Sequence, residues 1–167
     1  MFDHIKRALL SGKIEQKCSG IYNSIYIHIN NDEELKNYTK MHNVIENYTM
    51  TLAWYIYYEE VKRKRGNNDA YIIMYTVVHT MLHNDNAAKG FLAALAVYSG
   101  ELNHKIELAK NNKNFDIDRV ITNHYFETII SDNNLFNVHF KDNFKKKNYK
   151  KIYEIIKEAR EEAERVV

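Results

Sequence analysis

Not one proline interrupts the 167 residues of this chain. Proline lacks an amide donor and clashes with the preceding turn, so helices tolerate it least, and it averages about 5% of ordinary sequences. Its absence predicts an all-α fold whose helices are joined by turns of Asn, Asp and Gly. The length is enough to bury one core, so residues 1–167 are expected to form a single domain. With 45% hydrophobic residues the chain is too apolar for disorder. A formal net charge of +2 gives no reason to expect a nucleic-acid partner, because counterion release needs a concentrated basic surface. The lone Cys18 excludes an intramolecular disulfide and suits a reducing compartment. The opening MFDHIKRALL lacks a signal-peptide core, and no run of about 18 apolar residues exists to span a bilayer.

Apolar spacing divides the chain into helices. Phe2, Ile5, Leu9 and Leu10, then Ile14, Ile21, Ile25 and Ile29, predict one long first helix or one broken at Ser11-Gly12 and Ser19-Gly20. Tyr22 to Ile29 also alternates like a strand, but nothing nearby supplies a partner strand. Asn31 or Asp32 before Glu33 and Glu34 is a helix start, capped by a side-chain acceptor and favoured by the helix dipole. That second helix is expected to run through Leu35, Tyr38, Met41, Ile45 and Tyr48. An aromatic cluster from Trp54 to Tyr58 leads into the basic run Lys62–Arg65, which Gly66 terminates. A further helix is expected from Asp69 to a break at Asn84-Asp85-Asn86. The segment from Ala87 to Leu108 begins apolar on nearly every side and so reads as the buried central helix. Ile117 to Ile130 marks the next helix, and a Lys-rich amphipathic helix follows Leu135, Phe136 and Phe140.

Several constellations carry candidate chemistry. His79, His83 and Asp85, with Glu101 and His104, have the spacing of helical metal sites, but the further inward glutamates of a di-metal bundle are missing. No metal or cofactor is therefore expected. Arg119 and His124 match the Arg-x4-His spacing of dimeric helical ribonucleases of the HEPN type, which would use them for acid–base work on a phosphodiester. The run Lys62–Arg65 reads first as a hydrated helix end. Cys18 has no basic or histidine neighbour that would make it a thiolate nucleophile.

The stretch from Val77 to Leu102 resembles the first homology motif of the Bcl apoptosis-regulator family, in which an amphipathic helix ends in Asp and a turn opens a buried helix rich in Phe, small residues and Gly. Gly90, Leu92, Ala94, Tyr98, Gly100 and Leu102 fall on family-like positions. Downstream, Ile130-Ser-Asp132-Asn133-Asn134-Leu-Phe136 resembles the second motif. Two departures stand out. Phe91 replaces the arginine that pairs with a ligand aspartate, with Lys89 nearby, and the second helix lacks a death-motif signature.

The resemblance implies a Bcl-like bundle of about seven or eight helices around a buried central helix. It implies a non-enzymatic inhibitor of apoptosis, a viral and poxvirus-like pro-survival homologue to judge by the Asn-, Ile-, Lys- and Tyr-rich composition. The groove that binds the death-motif helix of pro-apoptotic Bcl-family proteins would be lined by Val77, Met81, Gly90, Phe91, Ala94 and Tyr98. A homodimer is a further partner state. The location would be host cytoplasm, or the mitochondrial outer membrane had a C-terminal anchor been removed. The alternatives are a Bcl-fold viral inhibitor of innate signalling and the ribonuclease using Arg119 and His124.

Overall fold

A computed structural model of the chain describes residues 2–38, 41–131 and 138–167. These residues are all-helical, with six α-helices, one short 3-10 helix and no strand. The expected count of seven or eight helices is therefore not met among them, and the reason begins in the first helix. α1 (Phe2–Asn30) runs unbroken through both Ser-Gly pairs. Gly12 and Gly20 lie on its exposed face, where a mid-helix glycine costs roughly 0.5–1 kcal/mol. Leu10, Ile14, Cys18, Ile21, Ile25 and Ile29 bury the opposite face. At about 1.5–3 kcal/mol for each large aliphatic side chain, that burial outweighs two glycines.

Asp32 caps a helix as its sequence suggests, its carboxylate accepting from the Glu34 amide at 3.0 Å. The capped element is only the 3-10 turn Glu33–Asn37, which plants Leu35 in the core. The longer helix starts afresh, as α2 (Met41–Arg65), and Gly66 with φ 87° ends it where the sequence places the stop. α3 (Asn67–Leu82) follows at once. The next turn falls at His83-Asn84, one residue before the expected break: His83 takes the left-handed conformation, and the Asn84 side chain accepts from the Ala87 amide at 3.0 Å. α4 (Asp85–Ala109) and α5 (Ile117–Ile130) are joined by a polar loop that Asp116 closes as N-cap. The amphipathic α6 (Val138–Val166) completes the chain. The turn read at Asp132-Asn133-Asn134, together with Leu135 and Phe136 and hence most of the second motif, lies outside the described residues.

The central helix is α2, and the assignment of that role to α4 is corrected. Leu52, Ala53, Trp54, Tyr55, Ile56 and Tyr57 are buried in succession, which covers every side of the helix, and α2 packs against all five other α-helices. α4 buries one face only: Ala88, Leu92, Leu95, Tyr98, Ser99, Leu102 and Ile106 turn inward, while Ala93, Ala94, Ala96 and Val97 are exposed. Its apolar look comes from alanine and glycine, small enough to stand in water at little cost. Across the centre, the Thr49 and Tyr125 hydroxyls share a buried hydrogen bond of 2.7 Å that ties α2 to α5.

Ion pairs set the outer helices. Arg7 holds Asp69 at 2.6 Å between α1 and α3, and Lys17 holds Glu162 at 2.6 Å between α1 and α6. Arg160 reaches Asp118 at 2.7 Å between α6 and α5. The Tyr153 hydroxyl donates to Asp116 at 2.8 Å, so the carboxylate that caps α5 also anchors α6.

Candidate functional site

The six residues read as a groove divide into three pairs. Val77 and Tyr98 are core, 1% and 4% exposed. Gly90 and Ala94 stand in solvent on the outer side of α4, and a Cβ at Gly90 would meet nothing within 4 Å. Only Met81 and Phe91 are half-buried side chains at the mouth of a cleft.

That cleft lies where α2, α3 and the first turns of α4 converge. Its lining is wholly apolar: Met50 and Trp54 from α2, Val78, Met81 and Leu82 from α3, and Phe91 from α4. The floor is rigid. Trp54 is 1% exposed, its indole N–H donates to the Met50 sulfur at 3.0 Å, and its ring meets Phe91 edge-on with centroids 5.9 Å apart. The rim is adaptable, since methionine side chains repack around different shapes. Leu82, 45% exposed, is the most open of the six. With about 80 Å³ of space, the cleft suits a single apolar side chain.

The charges around it are already engaged. Lys89 pairs with Asp85 at 2.8 Å one turn back, and Asp85 also accepts from the Tyr75 hydroxyl. Lys89 and Tyr75 together hold the Asp85 carboxyl below its ordinary pKa. Phe91 contributes a ring and no charge to the cleft, so its lining offers apolar contact alone.

The remaining candidates are separated by the fold. Arg119 is exposed, whereas His124 is 3% exposed, its ring tilted against Tyr98 at 4.9 Å and both ring nitrogens without a partner among the described residues. Burial, and then Lys105 nearby, lowers the His124 pKa. Five residues span about 140° of a helix, so these two side chains do not share one surface. Among the described residues no group of three or more His, Cys, Asp or Glu side chains is placed to hold a metal. Cys18 is buried, and burial pushes its thiol up, the opposite of nucleophile activation. In the basic run, Lys62 pairs with Glu59, and Arg63 and Lys64 with Glu60, so two carboxylates offset part of the charge of four cations.

A larger cleft of about 600 Å³ opens at the far end of α2, between α4, α5 and α6. Its cations are paired internally: Lys62 with Glu59, Arg63 with Glu60, Lys110 with Glu107, and Arg160 with Asp118. Among the described residues the cations of its lining are therefore all engaged. Among the described residues no helix is long and apolar enough to cross a membrane.

Sequence reasoning found two of the six residues of the apolar cleft and missed Met50, Trp54, Val78 and Leu82. The available signal was Trp54, the only tryptophan, set in an aromatic run one turn after a methionine. The chain matches no family model, and no curated protein or solved structure is similar enough to count as a match.

Proposed function

We propose that this protein is a binding module, not an enzyme, which captures an amphipathic helix of a partner at the α2–α3–α4 cleft and in that way sequesters the death-motif helix of pro-apoptotic Bcl-family proteins. The observation that carries the reading is the wholly apolar, surface-open cleft on a rigid Trp54 floor with Met50 and Met81 at its sides. A docked helix would insert one large apolar side chain there and lay its next turns along α4. Ala94 lies three residues beyond Phe91 on that helix and is exposed, so it leaves room for a close approach. The resemblance around Val77 to Leu102 supplies the identity of the partner. With Phe91 in the arginine position and Lys89 tied to Asp85, recognition rests on apolar contact, and binding should depend only weakly on salt.

Calorimetric titration with peptides spanning the death-motif helices of several pro-apoptotic proteins tests this. The expected result is micromolar or tighter binding to at least one peptide, lost in Phe91→Asp with the helical circular dichroism unchanged. Absence of binding to every peptide, or unchanged affinity in Phe91→Asp, would overturn the proposal.

A further inference from the structure

Where α4 meets α5, the seam closes over a histidine that has nothing to bond to. His124 is 3% exposed, and neither of its ring nitrogens finds a partner among the described residues. Tyr98 lies against it with ring centroids 4.9 Å apart, and the buried Tyr98 hydroxyl is likewise unpartnered there. Other buried hydroxyls of the core are bonded, Thr49 with Tyr125 and Tyr55 with Asn103. A neutral imidazole can stay in such a place, at the cost of two unmade hydrogen bonds. An imidazolium cannot stay so readily, because it brings a positive charge and two N–H donors to a site with no acceptor in reach.

The charged groups facing the ring come from the two helices of the seam. α4 sets Glu101 and Lys105 beside it, and α5 its own Glu127. Lys105 and Glu127 pair across the seam at 2.6 Å with both partners open to water, so one cation and one carboxylate offset each other. Glu101 is exposed, and a carboxylate in water gives a buried ring little support. α2 contributes the phenols Tyr48 and Tyr55, which lie close to Tyr98. α6 meets α5 elsewhere, through Asp116, Asp118 and Phe126, and Tyr153 and Arg160 engage the two carboxylates.

Burial outweighs the acids, and the His124 pKa is lowered. A base whose folded pKa lies below its unfolded value, about 6.5 for an imidazole, stabilises the fold above that value. The stability is lost as pH falls towards the folded pKa. The loss is local because the ties differ in strength. α5 is held to α2 by the buried Thr49–Tyr125 bond and to α6 by Asp116 and Asp118, whereas its charged link to α4 is the exposed Lys105–Glu127 pair, which is worth little in water. We infer that the α4–α5 seam is an acid-operated latch: His124 takes a proton only when water reaches its ring, so acid opens the seam around Tyr98 and His124. The apolar cleft between α2, α3 and the start of α4 plays no part in this, and the inference stands apart from the proposed function.

Hydrogen exchange of the whole chain at a series of pH values tests it, with each rate divided by the intrinsic exchange rate at that pH. In the wild type, the opening constant of peptides covering residues 95–106 and 120–129 should rise roughly threefold or more from about pH 7.5 to about pH 5.5. Peptides covering residues 10–25 of α1 should not change. His124→Phe keeps a ring against Tyr98 and removes the titrating nitrogens, so the rise should vanish. No rise in the wild type, an equal rise in His124→Phe, or a rise of the same size in α1 would each overturn the inference. Should His124→Phe fail to fold, the wild-type ring decides by nitrogen-15 NMR. It should carry the signals of a neutral imidazole wherever exchange reports a closed seam, and an imidazolium inside a closed seam would overturn the latch.

Discussion

α2 and α4 are both 25-residue helices, and on composition alone their roles would be exchanged. The middle of α2 is aromatic and full of tyrosine hydroxyls, yet it is buried on every side. The first half of α4 is alanine, glycine and leucine, yet half of it faces water. The difference lies in side-chain volume. A central helix must fill the space between its neighbours at crystal-like density, and Trp54, Tyr55, Ile56 and Tyr57 do this while alanines cannot. Tyr55 carries its hydroxyl to Asn103 at 2.9 Å on α4, so the ring is buried without stranding the polar tip.

The contrast can be broken most forcefully at Trp54. Trp54→Ala should cost about 3–5 kcal/mol by urea unfolding, the cost of a large core truncation, while Ala94→Ser on α4 should fall within about 0.5 kcal/mol of wild type. If the two lay close together, α2 would not be the centre. A smaller effect sits at the α2–α5 tie. Tyr125→Phe or Thr49→Val alone leaves a buried hydroxyl unpaired and should cost about 1–3 kcal/mol, whereas the double variant should cost less than the sum of the two. Strict additivity in the double-mutant cycle would mean the hydroxyls do not interact.

The outer side of α4 sharpens the comparison with the opposite sign. Gly90 and Gly100 are exposed mid-helix glycines with open space around them. Gly90→Ala and Gly100→Ala should each stabilise the fold by about 0.5–1 kcal/mol. Destabilisation at either site, read from the thermal midpoint, would mean that something packs against that face.

The smallest effect is electrostatic. Lys17, and then Arg165, draw the Glu162 carboxyl down to about 2. A carboxylate whose folded pKa lies below its unfolded value contributes stability that is present above the unfolded pKa and lost as pH falls through the folded one. The gap in thermal midpoint between wild type and Glu162→Gln should therefore close on acidification from about pH 5 to pH 2. Both partners are partly exposed, so added salt should shrink it at neutral pH. A gap that does not change with pH would assign it to packing.

The fold class was legible because proline absence and apolar spacing are local signals. So were the Asp32 cap, the stop at Gly66 and the extent of α5. Of the two first helices the sequence leaves open, one long or one broken at Ser11-Gly12 and Ser19-Gly20, the unbroken one forms, because helix-disfavouring residues on an exposed face cost less than the opposite face gains by burial. The site was half legible. Met81 and Phe91 flank one turn and are near in sequence, but Met50 and Trp54 reach the cleft from another helix, and no local pattern joins them. The exposure of Ala94 and the burial of His124 were equally hidden: small residues read alike inside and outside a core, and a histidine with no partner in sequence gives no sign of its depth.

Hydrogen exchange followed by mass spectrometry tests most directly which helix is the centre. Peptides covering Leu52 to Tyr57 should exchange only as fast as the whole protein unfolds, while those covering Ala93 to Val97 should exchange through local opening with a lower free energy. Slower exchange in α4 than in α2 would return the central role to α4 and contradict the account given for the cleft.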